Sequence, residues 1–319
     1  MSNGSSSDRR GPPVSSRPSS EALSNSFAER VAETARAVDA ALEALLPLAE
    51  GPERRLTEAM RYAALGPGKR LRPVFVMETG RMFGLPEPAL LRAGCAIECV
   101  HAYSLVHDDL PCMDDDDLRR GRPSCHRAFD EGTAILAGDA LQARAFELLA
   151  NGGPETRPQV RLEMLEVLAR AIGTLGMAGG QAMDLGATGA SLSPATIELM
   201  HRRKTGALIQ ASIELGAIAA GRCAPEARLA LRRFGAEIGL AFQIQDDILD
   251  VTGDTQQLGK KAGADAALGK PTYPSILGLD AARAQARTHR DLALEALGPL
   301  GSAAAELREL GIFVVDRAH

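Results

Sequence analysis

The chain has 319 residues, 45% hydrophobic and 24% charged, enough to bury a large core as one big domain or two ordinary ones. Its net charge of -5, from 36 Lys and Arg against 41 Asp and Glu, supplies no basic field for nucleic acid, so no nucleic-acid partner is expected. The longest stretch free of Asp, Glu, Lys and Arg is 13 residues, which predicts no membrane span, and five cysteines without an apolar leader favour a reducing, cytoplasmic setting over a disulfide framework.

Residues 1–20 hold eight Ser, three Pro and two Gly, with Val14 the one apolar side chain after Met1, so a disordered tail is expected there. From residue 21 the pattern changes. Val31, Ala35, Val38, Leu42, Leu45 and Leu46 recur at spacings of three and four, which predicts a helix with one buried stripe running to about Pro47. The same period returns along the chain between breakers such as Gly66-Pro67-Gly68, Gly84-Leu85-Pro86, Gly152-Gly153-Pro154 and Gly298-Pro299. Roughly ten helices follow from that spacing. Alternating strand runs are absent, and aromatics are only 3% with no Trp. Residues 21–319 therefore read as a single large all-α bundle.

One acidic motif occurs twice. The first copy is Asp108-Asp109-Leu110-Pro111-Cys112-Met113-Asp114, continued by Asp115, Asp116 and Asp117, and the second is Asp246-Asp247-Ile248-Leu249-Asp250. Asp246 and Asp250, at i and i+4, share one helix face, where their mutual repulsion calls for a cation. Carboxylates clustered without His or Cys are hard oxygen ligands suited to Mg²⁺, which commonly shares its remaining positions with water and substrate phosphates. Asp115 to Asp117 read equally as a solvated helix end. Asp108 and Asp246 directly follow the apolar runs Ala102 to Val106 and Ile238 to Ile244, so they emerge from the core ends of buried helices. Cys95, Cys99, Cys112, Cys125 and His126 lack the paired spacing of a zinc site.

Basic residues accompany both clusters: Lys69, Arg70 and Arg72 upstream, Arg119, Arg120 and Arg122 after the first, Lys204 between, and Lys260, Lys261 and Lys270 after the second. Arg meets phosphate oxygens through its fork and Lys as a point charge, so two anionic substrates could be held, one through metal and one directly.

Five ordered motifs carry a resemblance: Gly68-Lys69-Arg70-Leu71-Arg72-Pro73, the first aspartate run with Leu118-Arg119-Arg120-Gly121, Gly180-Gln181-Ala182-Met183-Asp184, Lys204-Thr205, and Gln243 to Asp250. Together they resemble the trans-isoprenyl diphosphate synthases, and within them the bacterial farnesyl diphosphate synthases. The likeness is dense from about residue 57 to 280. It implies an all-α fold around a central cavity, the two Asp motifs facing each other across its mouth, a homodimer and three Mg²⁺ ions. It implies that Asp108, Asp114 and Asp246 ligate metal, with Asp109, Asp247 and Asp250 as direct, water-mediated or supporting partners. By the same resemblance Arg119, Lys204 and Lys270 contact the allylic diphosphate, and Lys260 helps close that site. Gly68, Lys69, Arg72, His101 and Arg120 bind isopentenyl diphosphate, while Lys204, Thr205 and Gln243 lie along the reacting carbons.

Product length would then depend on the helix leading down from Asp108. Tyr103 stands five residues earlier, roughly 7.5 Å along a helix axis, where its ring, next to Ser104, should stop growth at the C15 product. C20 and C10 products stay open as alternatives, as does a non-catalytic synthase subunit, although such subunits tend to lose the aspartates kept here. Pro67 stands where the family commonly has Gly, and the first motif is the longer DDxxxxD form. Cys95 and Cys99, spaced as in a plant subunit-interface motif, read as core residues.

Overall fold

The structure, a computed structural model, describes residue 1 and residues 20–152, 156–189, 192–253 and 269–316. The expected N-terminal tail and Lys260 fall outside the described residues. Helix α1 spans Ser20–Leu45 and stops two residues before Pro47, whose ring disfavours helical backbone ahead of it. Its Val31, Val38 and Leu42 are buried, as the spacing predicts. Helices α2 (Arg54–Ala64), α3 (Leu71–Met82) and α4 (Glu87–Asp108) follow, then a two-residue antiparallel hairpin of β1 (Leu118–Arg119) and β2 (Arg122–Pro123). Beyond it come α5 (Cys125–Ala128), α6 (Glu131–Asn151), α7 (Pro158–Ile172), α8 (Met177–Ala187) and α9 (Pro194–His201). A π-helical turn, Arg202–Gly206, leads into α10 (Ala207–Ala219) and α11 (Pro225–Thr252). Helices α12 (Tyr273–Leu277), α13 (Leu279–Ala296) and α14 (Ala305–Asp316) complete the bundle, the last two joined by a 3₁₀ segment at Gly298–Ala304.

The described residues thus form fourteen α-helical segments against the ten or so that periodicity predicts. The surplus includes single turns, α5 and α12, too short to show a period. The hairpin was also illegible, because two-residue strands have no alternation. Its turn residues Arg120 and Gly121 both take positive φ, 52° and 75°, the pattern of a type I′ turn.

Helices α4 and α11 are the two that carry the aspartate motifs, and both run through core. Leu90, Ile97 and Val100 of α4 are inaccessible to solvent, as are Leu231, Phe234, Ile238 and Ile244 of α11. By length and composition α4 could cross a membrane. Here it is a core helix packed between α3 and α6, and its one buried carboxylate, Glu98, is ion-paired to Arg70. Each large apolar side chain so buried contributes about 1.5–3 kcal/mol, so the ends of these helices are held by the most stable part of the molecule. All five cysteines are free thiols, with Cys95, Cys99 and Cys125 in the core.

The π turn is wedged between two glycines. A methyl group on Gly180 of α8 would lie 2.2 Å from the Lys204 nitrogen, and one on Gly239 of α11 would lie 2.8 Å from the Gly206 Cα. Both contacts are with backbone, which cannot step aside, so hydrogen in place of Cβ is what lets three elements meet here. Gly180→Ala and Gly239→Ala should each destabilise by about 1–3 kcal/mol through overpacking and displace Lys204 and Thr205. Denaturant unfolding alongside a turnover assay checks both effects.

Candidate active site

One cavity of about 1000 Å³ gathers most of the residues singled out in the sequence. Its walls include Gly68, Lys69 and Arg72 from the start of α3 and the loop before it, and His101, Tyr103, Ser104 and Asp108 from α4. Asp114, Arg119 and Arg120 enter from the loop and hairpin, Lys204 and Thr205 from the π turn, Gln243, Asp246, Asp247 and Asp250 from α11, and Lys270 from the stretch before α12. Among the described candidates, Asp109 alone does not line it. Asp109 is 2% exposed, and its Oδ1 accepts from both Nε, at 2.9 Å, and Nη2 of Arg119. That contact fastens the hairpin arginine and fits the supporting form of the role expected for Asp109.

The second motif divides in the same way. Asp247 is 2% exposed and both its oxygens are engaged: Oδ1 accepts from Gln243 Nε2 at 2.9 Å, and Oδ2 from His201 Nε2 at 2.9 Å and the Tyr273 backbone N–H at 3.0 Å. These bonds fit a supporting role for Asp247. Asp246 and Asp250, on the same helix face, remain the ligand candidates of α11.

Asp108 ends α4, where the negative pole of the helix already disfavours an anion. Burial raises its carboxyl to about 6, with Asp114 adding to the effect and Lys204 opposing it. Two lysines temper the excess of negative charge. Lys204 Nζ donates to Asp184 Oδ2 at 2.5 Å, while Lys270 Nζ lies 2.7 Å from Asp114 Oδ1 and 3.8 Å from Asp184 Oδ2. Burial works against the charge on both sides of the first pair, but the pairing outweighs it: Asp184 is held below the usual carboxylate range and Lys204 above the usual lysine range. Asp184 and His201 were not singled out from sequence. Asp184 stood inside a quoted motif without a role, and a lone His before Arg-Arg-Lys has no pattern to mark it.

A second group of cations lies around His101 and the Gly68 loop. Arg72 Nη1 lies 3.4 Å from His101 Nε2, and burial together with Arg72, Arg120, Arg119 and Arg70 pushes the His101 imidazole well below its usual range. A neutral His101 can thus accept from Arg72 at neutral pH. Arg120 donates to the Pro67 carbonyl, and its guanidinium occupies the space a Cβ on Gly68 would need, so hairpin and loop are in direct contact. Behind the loop Arg70, with φ of 51°, caps α3. It reaches Glu98 at 2.6 Å, Asp39 at 2.7 Å and the Gly66 carbonyl at 2.6 Å.

Mg²⁺ fits this donor set. Asp108, Asp114, Asp246 and Asp250 are hard oxygen donors lining a single cavity, and protein cations already gather at their carboxylates. Among the described residues no three His, Cys, Asp or Glu side chains form a closed ligand group, as expected of Mg²⁺ sites completed by water and phosphate.

The polyprenyl synthetase family model matches residues 53–300. The chain belongs to the polyprenyl synthetase family. The farnesyl diphosphate synthase of Escherichia coli is 50% identical over 266 residues, which is 82% of this chain and 89% of that protein. The apo structure of an FPP/GFPP synthase from Zymomonas mobilis has a TM-score of 0.81 and 44% identity, covering 92% of this chain and 99% of the other. A geranyltransferase from Helicobacter pylori, complexed with magnesium and isoprenyl diphosphate, has a TM-score of 0.81 at 32% identity, covering 91% and 96%. The family is one of prenyl-transferring enzymes, and the all-α fold agrees with these neighbours.

Arg70 ties the loop ahead of α3 to α1 and α4 in this polyprenyl synthetase cavity. Arg70→Met would leave Glu98 buried without its partner, and should destabilise by about 3–5 kcal/mol. Urea unfolding of the variant measures that loss.

Proposed function

We propose that this chain is a Mg²⁺-dependent farnesyl diphosphate synthase, condensing isopentenyl diphosphate with dimethylallyl and then geranyl diphosphate. The observation that carries it is the meeting, in one cavity, of both aspartate motifs with two sets of cations. Lys204 and Lys270 sit among the carboxylates, and Arg72 and Arg120 are grouped with His101 and the Gly68 loop. A single-diphosphate enzyme would not need the second set.

Asp108, Asp114, Asp246 and Asp250 would hold Mg²⁺, three ions by family likeness, which supply positive charge to the departing allylic diphosphate when bound. Lys204, Lys270 and Arg119 orient that diphosphate and share its developing charge. Lys69, Arg72, Arg120 and neutral His101 place the second diphosphate so that its double bond faces the allylic carbon. Thr205 and Gln243 offer oxygen lone pairs toward the carbon that becomes cationic. Glu98 also lines the cavity but is committed to Arg70, so the proton lost after condensation goes to the released diphosphate.

Tyr103, 7% exposed and edge-on to His107 at 5.8 Å between ring centroids, lines the cavity on the helix leading down from Asp108, a position that supports the C15 product. Ser104 stands one turn before Asp108 and donates to the His101 carbonyl at 2.9 Å, so its hydroxyl is turned back into the helix. A homodimer is the expected assembly. Ile135 and Leu136, adjacent on α6, are 44% and 57% exposed, large apolar side chains that a second subunit could cover.

Asp108→Ala and Asp246→Ala should each lower turnover on the order of 100-fold or more while leaving the helical circular dichroism intact. Near-normal turnover of both, with Mg²⁺ supplied, would falsify the assignment. Tyr103→Ala should extend product from C15 to C20, read by mass spectrometry after incubation with C5, C10 and C15 allylic starters. An unchanged length distribution would remove Tyr103 as the floor.

A further inference from the structure

A chain of hydrogen bonds runs from the core to the reacting end of the cavity. Thr205 Oγ1 donates to Gln243 Oε1 at 2.5 Å, Gln243 Nε2 donates to Asp247 Oδ1 at 2.9 Å, and His201 Nε2 meets Asp247 Oδ2 at 2.9 Å. A carboxylate is an acceptor only, so Asp247 can take nothing from the Gln243 amide except its NH₂. That choice turns the amide oxygen toward Thr205 and the cavity, where its second lone pair is available. The opposite flip would present two N–H donors to the same space.

Asp247 in turn depends on His201. The imidazole is 5% exposed, stacks on Tyr273 with ring centroids 5.5 Å apart, and has no partner for its Nδ1 among the described residues. A proton on Nδ1 would be a buried donor without an acceptor, so the ring is held as the Nε2–H tautomer that donates to Asp247. The Tyr273 backbone N–H shares the same carboxylate oxygen. Three elements, α9, α11 and the start of α12, therefore fix one carboxylate at the cavity wall.

We propose that His201 is a positioning residue for carbocation formation: by locking Asp247 it fixes the Gln243 amide with its oxygen toward the reacting carbon. The role rests on the prenyl-transfer reading of the cavity and adds a residue that touches neither substrate nor metal. Without the His201 donor, Asp247 Oδ2 keeps only the Tyr273 backbone N–H, so the carboxylate is held less firmly and Gln243 can turn its NH₂ toward a carbon developing positive charge. Binding of either diphosphate does not involve Gln243, so the loss should fall on the chemical step.

The test is steady-state kinetics on the full-length enzyme with Mg²⁺ and both diphosphates, comparing His201→Phe, which keeps a ring against Tyr273, with His201→Gln, whose Nε2 can replace the donor. The expected result is a kcat lowered roughly 10- to 100-fold in His201→Phe, with KM for each diphosphate within about twofold of wild type, and recovery of most of that loss in His201→Gln. His201→Leu takes the place of the phenylalanine variant if thermal unfolding shows that variant does not fold. Wild-type kcat in the apolar variant, a loss confined to KM, or a glutamine variant no better than the apolar one would overturn the role. Each of those outcomes leaves the prenyl-transfer reading standing, whereas a wild-type enzyme without condensation activity would remove the reading itself.

Discussion

Negative charge collected at the buried ends of two helices is the condition to which the rest of this bundle answers. Asp108 ends α4 and Asp246 and Asp250 stand near the end of α11, at the poles where a helix already concentrates negative potential. Apolar burial along both helices holds those poles together against their repulsion. The cations that relieve it, Lys204 and Lys270, come from separate parts of the chain and end up aimed into the cavity. Balancing the carboxylates and preparing the cavity for an anionic substrate are therefore one arrangement.

Adjacent aspartates divide the labour in each motif. Consecutive helical residues point about 100° apart, so neighbouring carboxylates reach different partners. Asp108 opens to the cavity while Asp109 grips Arg119, and Asp246 lies on the cavity side while Asp247 is taken up by His201, Gln243 and Tyr273. A doubled aspartate thus encodes a binding group together with its own support.

Much of the site was legible because its residue types defy their surroundings. Carboxylates directly after apolar helical runs have no reason to be there unless something binds them, and Gly-Lys-Arg and Lys-Thr follow the family pattern residue by residue. Arg70 was not legible. In sequence it is one more cation among Lys69 and Arg72, and only the fold shows it turned inward to Glu98 while its neighbours line the cavity. The π turn was equally hidden, since Arg202 to Gly206 has ordinary helical composition and its widening comes from Gly180 and Gly239, distant in sequence. Asp184 and His201 act through partners 20 and 46 residues away, which local spacing cannot reveal.

The ion pair between Lys270 and Asp114 joins residues 156 positions apart. During synthesis the first aspartate motif leaves the ribosome long before α11 and Lys270 exist, and until then its carboxylates have no buried partners from the second half. The countercharges that Asp108 and Asp114 meet, Lys204 and Lys270, are carried by the second half of the chain. Full neutralisation of the first aspartate motif is consequently a late event in the life of the chain, arriving when its last quarter brings Lys270 to Asp114.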